Sequence, residues 1–222
     1  MTSTDSLPLV TDADLRDTDA TRKDEDDTDS TPDPDVPEPK LTRLATSSTA
    51  LLVVDMQNGV LTTCHDVAGV TGRVGLLVEK ARAAGGTVIW VRNVSPETPR
   101  GTEAWKIVPE LRPLPTETVL DKEYGDSFEA TDLGTVLASH GIDHVVVCGA
   151  QTDACIRSTL HGAFVRGYGV TLVSDGHTTE DLTPWGNPAP EVVIAHTNLY
   201  WQFTSAPGRE GQVAEVADIE FV

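Results

Sequence analysis

Short apolar runs alternate with helical patterns through most of this 222-residue chain, and this alternation restricts its fold more than any other feature. Runs rich in Val, Leu and Ile, without polar alternation, are typical of strands buried on both faces of a sheet. They predict strands at residues 49–55, 87–92, 145–148 and 170–176. Apolar residues at helical spacing predict helices that begin near residues 71, 133, 155 and 191. A shorter strand leads to Lys122, and residues 213–222 could add a last edge strand.

Strands and helices that alternate in this way favour an α/β fold, because each helix can carry the chain back to start a parallel strand. We therefore predict a three-layer α/β/α sandwich with a mostly parallel, Rossmann-like central sheet. The chain is long enough for one such domain, which we place at residues 45–222.

The segment before this domain has a different composition. Residues 1–44 contain no aromatic residue and are crowded with Asp, Thr, Ser and Pro. The first 40 residues hold 13 acidic and 4 basic side chains, and so carry −9 of the total charge of −19. Such a segment cannot bury enough apolar surface to offset the entropy lost on ordering. The composition predicts a disordered acidic tail over residues 1–44.

Charge and cysteine usage restrict the partners and the compartment. The negative charge would repel a phosphate backbone, so nucleic acid is not expected as a partner. The sequence shows neither a long apolar run nor a signal peptide, and we expect no membrane association. Three cysteines without close spacing indicate a reducing compartment, and a cytoplasmic location is expected.

Polar residues follow three of the predicted strands. Asp55 ends the first strand, Lys122 follows TVLD, and Cys155 opens the helix after a buried strand. Open α/β sheets place their chemistry at the carboxyl ends of strands. A cysteine among the unpaired N–H groups of a first helical turn favours the thiolate, so Cys155 is a candidate nucleophile. Alternatively, Asp55 caps a turn with Asn58 and Gly59, and Cys155 is a small buried apolar residue.

Three segments resemble the isochorismatase-like cysteine hydrolase superfamily, which includes nicotinamidases and N-carbamoylsarcosine amidase. They are LLVVDMQNG, DKEYGDSF and VVVCGAQTDACIRSTLHGAFVRGYGVTLVSDGHTT. The resemblance implies that Cys155 attacks a carbonyl carbon and that Asp55 takes the thiol proton and passes it to the leaving nitrogen. Lys122 would hold both groups, and water would hydrolyse the resulting thioester. Residues 45–222 would then be an isochorismatase-like hydrolase domain.

The resemblance also implies further features of the site. These are a cis peptide between Ala150 and Gln151 and an oxyanion hole made by the backbone N–H groups of Gln151 and Cys155. Lys122 should lower the pKa values of Asp55 and Cys155, while Asp55 opposes the thiolate, so we expect one proton to be shared by the pair. The resemblance implies a small-molecule substrate, no cofactor, and a homodimer or homotetramer.

Differences from relatives narrow the expected reaction. Nicotinamidases of this group hold a metal through Asp and His residues after the second strand, whereas residues 87–117 contain no histidine. Cys64, His65 and Asp66 are adjacent, and adjacent residues rarely point to one ion, so no metal is expected. Isochorismatases that cleave a vinyl ether generally lack this cysteine. Cys155 therefore favours hydrolysis of a C–N bond in a small amide, ureido or lactam substrate.

Two alternative functions stay open: vinyl ether hydrolysis of the isochorismatase type, and a non-catalytic binding module.

We expect the substrate pocket to be lined by aromatic and polar residues in or near the motifs and in the long loops. The candidates are Gln57, Trp90, Trp105, Tyr124, Phe128, Thr152, His177 and Trp185.

Overall fold

A computed structural model describes residues 42–222, which contain nine β-strands and four α-helices. The strands are β1 (Thr42–Leu44), β2 (Thr49–Val54), β3 (Thr87–Asn93), β4 (Thr118–Lys122), β5 (His144–Ala150), β6 (Gly169–Thr178), β7 (Ser205–Ala206), β8 (Arg209–Ala214) and β9 (Ile219–Phe221). The helices are α1 (Val67–Ala83), α2 (Leu133–Ser139), α3 (Arg157–Val165) and α4 (Pro190–Gln202). No helix among residues 42–222 is long and apolar enough to cross a membrane.

Seven of these strands form the central sheet, in the order β4-β3-β2-β5-β6-β8-β7. Every neighbouring pair is parallel except β7 and β8. The order reverses direction at β2, which lies between β3 and β5. Crevices for ligands form at such a point, outside the carboxyl ends of the strands. The predicted three-layer α/β/α sandwich is confirmed.

The side chains of β2 explain why this strand lies at the centre. All six are buried, and the five after Thr49 alternate between two hydrophobic cores. Leu51 and Val53 pack in the core that includes α1, whereas Leu52 and Val54 pack in the core with α2, α3 and Trp201 of α4. A strand covered on both faces needs apolar residues at every position, which is the pattern of TALLVV.

Two predicted boundaries need correction. Most of the predicted tail lies outside the described residues, but its last three residues form β1, which pairs in parallel with β9. The predicted single edge strand at residues 213–222 is instead divided between β8 and β9 by a short 3₁₀ turn at Val216–Asp218. Strands of three residues bury too few side chains to produce a recognisable alternation.

Gly149 brings β5 against β2. Its φ is 120°, and a Cβ at this position would overlap the carbonyl group of Val54. We expect Gly149→Ala to lower the free energy of unfolding by more than about 3 kcal/mol, because backbone strain and overpacking add. Gly134→Ala is the matched control, since a Cβ there meets no atom within 4 Å and the residue lies in α2. It should raise stability by about 0.5–1 kcal/mol. Urea unfolding curves of equal midpoint for the two variants would contradict this account.

Candidate active site

Asp55, Lys122 and Cys155 meet at the carboxyl edge of the central sheet. Asp55 follows β2, Lys122 is the last residue of β4, and Cys155 comes after β5. The Lys122 ammonium donates hydrogen bonds to Asp55 Oδ2 at 2.7 Å and to Cys155 Sγ at 3.0 Å. Asp55 and Lys122 are each 1% exposed. The acid and the thiol are therefore bridged by one buried cation.

The backbone around Asp55 and Cys155 has unusual geometry. Asp55 has a φ of 52°, in the left-handed region, where the chain turns out of β2. The peptide bond between Ala150 and Gln151 is cis. A π-helical turn, Thr152–Ile156, carries the chain from there into α3. Cys155 thus lies in the turn that precedes the α-helix rather than in its first turn.

Burial shifts the pKa values of the three groups. Burial raises the pKa of Asp55, although Lys122 acts against this shift. Burial and the charge of Asp55 raise the pKa of Cys155 to about 11, with Lys122 opposing. Burial on its own would lower the pKa of Lys122, but the charges of Asp55 and Cys155 outweigh it and the pKa is raised.

Lys122 lowers the pKa values of Asp55 and Cys155, as the sequence predicts, but burial outweighs its effect and both pKa values are raised. One cation does not offset the loss of water around both groups. A buried cluster is favoured when it is neutral, and this cluster is neutral when Lys122 is charged and one proton remains on either Asp55 or Cys155. The directions of the three shifts agree with this state. With a pKa of about 11, Cys155 is a thiol at neutral pH, and Asp55 is the neighbouring group that can accept its proton.

A cavity of about 280 Å³ opens onto the acid and the thiol. Its walls come from the connections that follow β2, β3, β5 and β6. Asp55 Oδ1 is buried and has no hydrogen-bond partner among the described residues. The polar and reactive side chains around the cavity include Asp55, Asn93, Glu97, Gln151, Cys155 and Glu180.

None of the eight predicted pocket residues lines this cavity, and five of them are buried elsewhere. Trp90 packs in the core with α1 and donates its indole N–H to Glu117 at 2.7 Å. Phe128 packs in the opposite core. The Gln57 amide bonds to the backbone of Asn93 and Trp105, and so holds the long loop after β3 against the site.

The other predicted pocket residues are also placed differently. Tyr124 and Trp185 are exposed at the surface, and Trp105 stacks under the guanidinium of Arg92 at 3.6 Å. Thr152 and His177 are buried and bonded to each other at 2.8 Å. His177 also bonds to Asn198 at 2.9 Å. These hydrogen bonds support the turn that carries Cys155.

Cys64, His65 and Asp66 face three different partners. Cys64 Sγ donates to the carbonyl oxygen of Val60, His65 lies 3.4 Å from Glu191, and Asp66 pairs with Arg73 at 2.8 Å. Within residues 42–222, no three His, Cys, Asp or Glu side chains are grouped as metal ligands.

The sequence predicts a pocket formed in part by the long loops, but it does not single out the loop residues that form the cavity walls, such as Ser95, Glu97, Thr98 and Glu180. They are common loop residues without a distinctive pattern. The one signal available was their position directly after β3 and β6, where an α/β sheet places its binding loops.

The parallel sheet, with a buried lysine that bridges an acid and a cysteine at its carboxyl edge, defines an α/β protein with a candidate active site at that edge. Residues 49–185 match the isochorismatase domain family, and the chain belongs to this family. A streptothricin hydrolase of Streptomyces noursei is 34% identical over 143 residues, which cover 60% of this chain and 55% of that protein. The chain thus spans about half the length of the curated relatives it matches.

Solved structures of similar proteins share the fold. A cysteine hydrolase from Pseudomonas syringae pv. phaseolicola superposes with a TM-score of 0.70 at 24% identity, covering 81% of this chain and 94% of that one. N-carbamoylsarcosine amidase from Thermoplasma acidophilum superposes with a TM-score of 0.63 at 25% identity, covering 78% of this chain and 99% of that one.

Proposed function

We propose that this protein is a cysteine hydrolase that cleaves a C–N bond of a small amide, ureido or lactam substrate through a thioester. The observation that carries the proposal is the Lys122 bridge between Asp55 and Cys155 at the base of a cavity. Relatives whose names denote a streptothricin hydrolase and an amidase support the same reaction class.

The first step moves a proton within the buried cluster. Asp55 accepts the proton of the Cys155 thiol as the sulfur forms a bond to the carbonyl carbon, and Lys122 keeps the charge of the cluster balanced. The unpartnered Asp55 Oδ1 is the oxygen available to take this proton. Because the thiol has a raised pKa, a nearby base is needed at neutral pH.

The later steps return the cluster to its starting form. The protonated Asp55 gives its proton to the leaving nitrogen, and the C–N bond breaks to leave a thioester on Cys155. Asp55 then takes a proton from water, whose oxygen attacks the thioester carbon. As the C–S bond breaks and the acid is released, Asp55 returns this proton to the Cys155 sulfur. The backbone N–H groups of Gln151 and Cys155 are proposed as the oxyanion hole, since both residues border the cavity.

A product assay tests this proposal. Purified protein is incubated with primary amides, alkylureas and lactams that carry neutral, cationic or anionic side groups, and the release of ammonia or amine is measured. Hydroxylamine added during turnover should intercept the thioester and yield a hydroxamate. Ammonia or amine release without any hydroxamate, and without an acyl adduct on Cys155 in mass spectra of quenched samples, would contradict the thioester. Cleavage of a vinyl ether to a keto acid, in place of C–N cleavage, would support isochorismatase-type chemistry instead.

A further inference from the structure

The cavity above Cys155 has an acidic lining. Glu97 lies on the wall that follows β3, and Glu180 lies on the wall that follows β6. Asp55 is at the base, where Lys122 already balances it. No Lys, Arg or His side chain lines the cavity among residues 42–222. The cavity therefore has two carboxylates on its walls in addition to that of Asp55.

Both carboxylates are without a cationic partner. Across the described part of the chain, neither Glu97 nor Glu180 has a Lys, Arg or His nitrogen within 4.0 Å. The nearby cation Arg100 is paired with Asp121 and Glu123. The two negative charges at the cavity are thus unbalanced by the protein.

Hydroxyl groups orient the two carboxylates. Ser95 Oγ donates to Glu97 at 2.8 Å, and this hydrogen bond lowers the pKa of Glu97, which keeps the group ionised at neutral pH. Thr63 Oγ1, in the adjacent connection after β2, donates to Glu180 at 3.4 Å. Ser95 and Thr63 also line the cavity. Each acidic side chain is therefore held at the cavity by a neighbour that leaves its charge unchanged.

We infer that the substrate carries a positively charged group, such as an amine or guanidine, which binds between Glu97 and Glu180 while its carbonyl carbon reaches Cys155. The buried, unpartnered Asp55 Oδ1 marks the reacting end of the same cavity. This inference rests on the proposed function only in taking Cys155 as the reacting group. It predicts that anionic substrates such as ureido acids are poor ones, since like charges in a cleft repel.

Charged thiol reagents test the inference without requiring the substrate. The 2-aminoethyl and 2-sulfonatoethyl methanethiosulfonates carry the same reactive group with opposite charges. Their rates with Cys155 are followed by mass spectrometry, with peptide mapping, and are divided by their rates with 2-mercaptoethanol. After this correction, the cationic reagent should react at least about 10-fold faster, and the ratio should fall as ionic strength rises.

Matched variants assign the effect to the two carboxylates. Glu97→Gln and Glu180→Gln should each reduce the ratio several-fold, and the double variant should bring it near one. Glu220→Gln removes the same charge from β9, outside the cavity, and should leave the ratio unchanged. An equal rate for both reagents, or a ratio retained in the double variant, would overturn the inference.

Different results would reject the proposed C–N hydrolysis and the inferred cationic substrate. A strong cationic preference without C–N hydrolysis would leave the acidic cavity intact and reject the proposed reaction. C–N hydrolysis with equal kcat/KM for cationic and anionic amides of the same length would support the reaction and reject the cationic substrate.

Discussion

Replacing Cys155 with Ala is expected to lower kcat by at least about 1,000-fold, because the thioester cannot form without the sulfur. The change should leave the fold intact. Cys155 is partly exposed, and the ion pair between Asp55 and Lys122 at 2.7 Å does not depend on the thiol. We expect the free energy of unfolding to change by less than about 1 kcal/mol.

Cys64→Ala is the matched control for this experiment. Cys64 is also partly buried and its thiol has a pKa raised to about 12, mainly by burial, but it bonds to a backbone carbonyl and does not contact the cluster. Its loss should leave kcat within about twofold of the unaltered protein. The decisive measurement is kcat on the best substrate of the panel, with circular dichroism to confirm folding. Turnover retained in Cys155→Ala would exclude the covalent mechanism.

The positions of Asp55, Lys122 and Cys155 could be predicted because the chemistry of an α/β fold is tied to strand ends. Buried strands such as TALLVV are visible in the sequence as unbroken apolar runs, and their ends are therefore visible as well. Once the strands are parallel, the residues that follow them gather at one edge of the sheet. In the structure, one ammonium reaches both other groups from that edge.

The cavity could not be predicted in the same way. Its walls combine four connections that are distant in sequence, and their spacing depends on the register of strands that the sequence does not fix. The preference of pockets for aromatic residues led to a wrong placement of Trp90. Its indole N–H donates to Glu117 on the α1 side of the sheet, away from the cavity. The upward shift of the Cys155 pKa could not be predicted either, because it depends on how deeply the folded chain buries the thiol.

Among substitutions in the site, replacement of Lys122 is expected to lower the free energy of unfolding most. Its ammonium is 1% exposed and is the cation between Asp55 and Cys155. Lys122→Met keeps a similar length but leaves Asp55 buried without its partner. At pH 8 we expect a loss of about 3–5 kcal/mol in the free energy of unfolding, together with loss of turnover. Lys106→Met is the control, because the exposed pair with Glu103 should contribute less than about 1 kcal/mol.

The pH dependence of this loss shows which charge causes it. Burial already raises the pKa of Asp55 above its ordinary value of 3.8, and removing Lys122 should raise it further. A raised pKa in the folded state means that the protonated form favours folding. The Lys122→Met protein should therefore recover stability below pH 4 and lose it as the pH rises through the folded pKa of Asp55.

A double variant separates charge from packing. In Asp55→Asn with Lys122→Met both buried charges are gone, so the protein should be more stable than Lys122→Met at pH 8, and its stability should depend less on pH. Urea unfolding between pH 3 and 9 is measured for Lys122→Met, for the double variant and for the Lys106→Met control. If the single and double variants were equally unstable at every pH, the cost would come from the lost packing of the lysine stem. A recovery confined to the double variant at pH 8 would instead show that Lys122 balances the buried charge of Asp55, the carboxylate that we propose as the base.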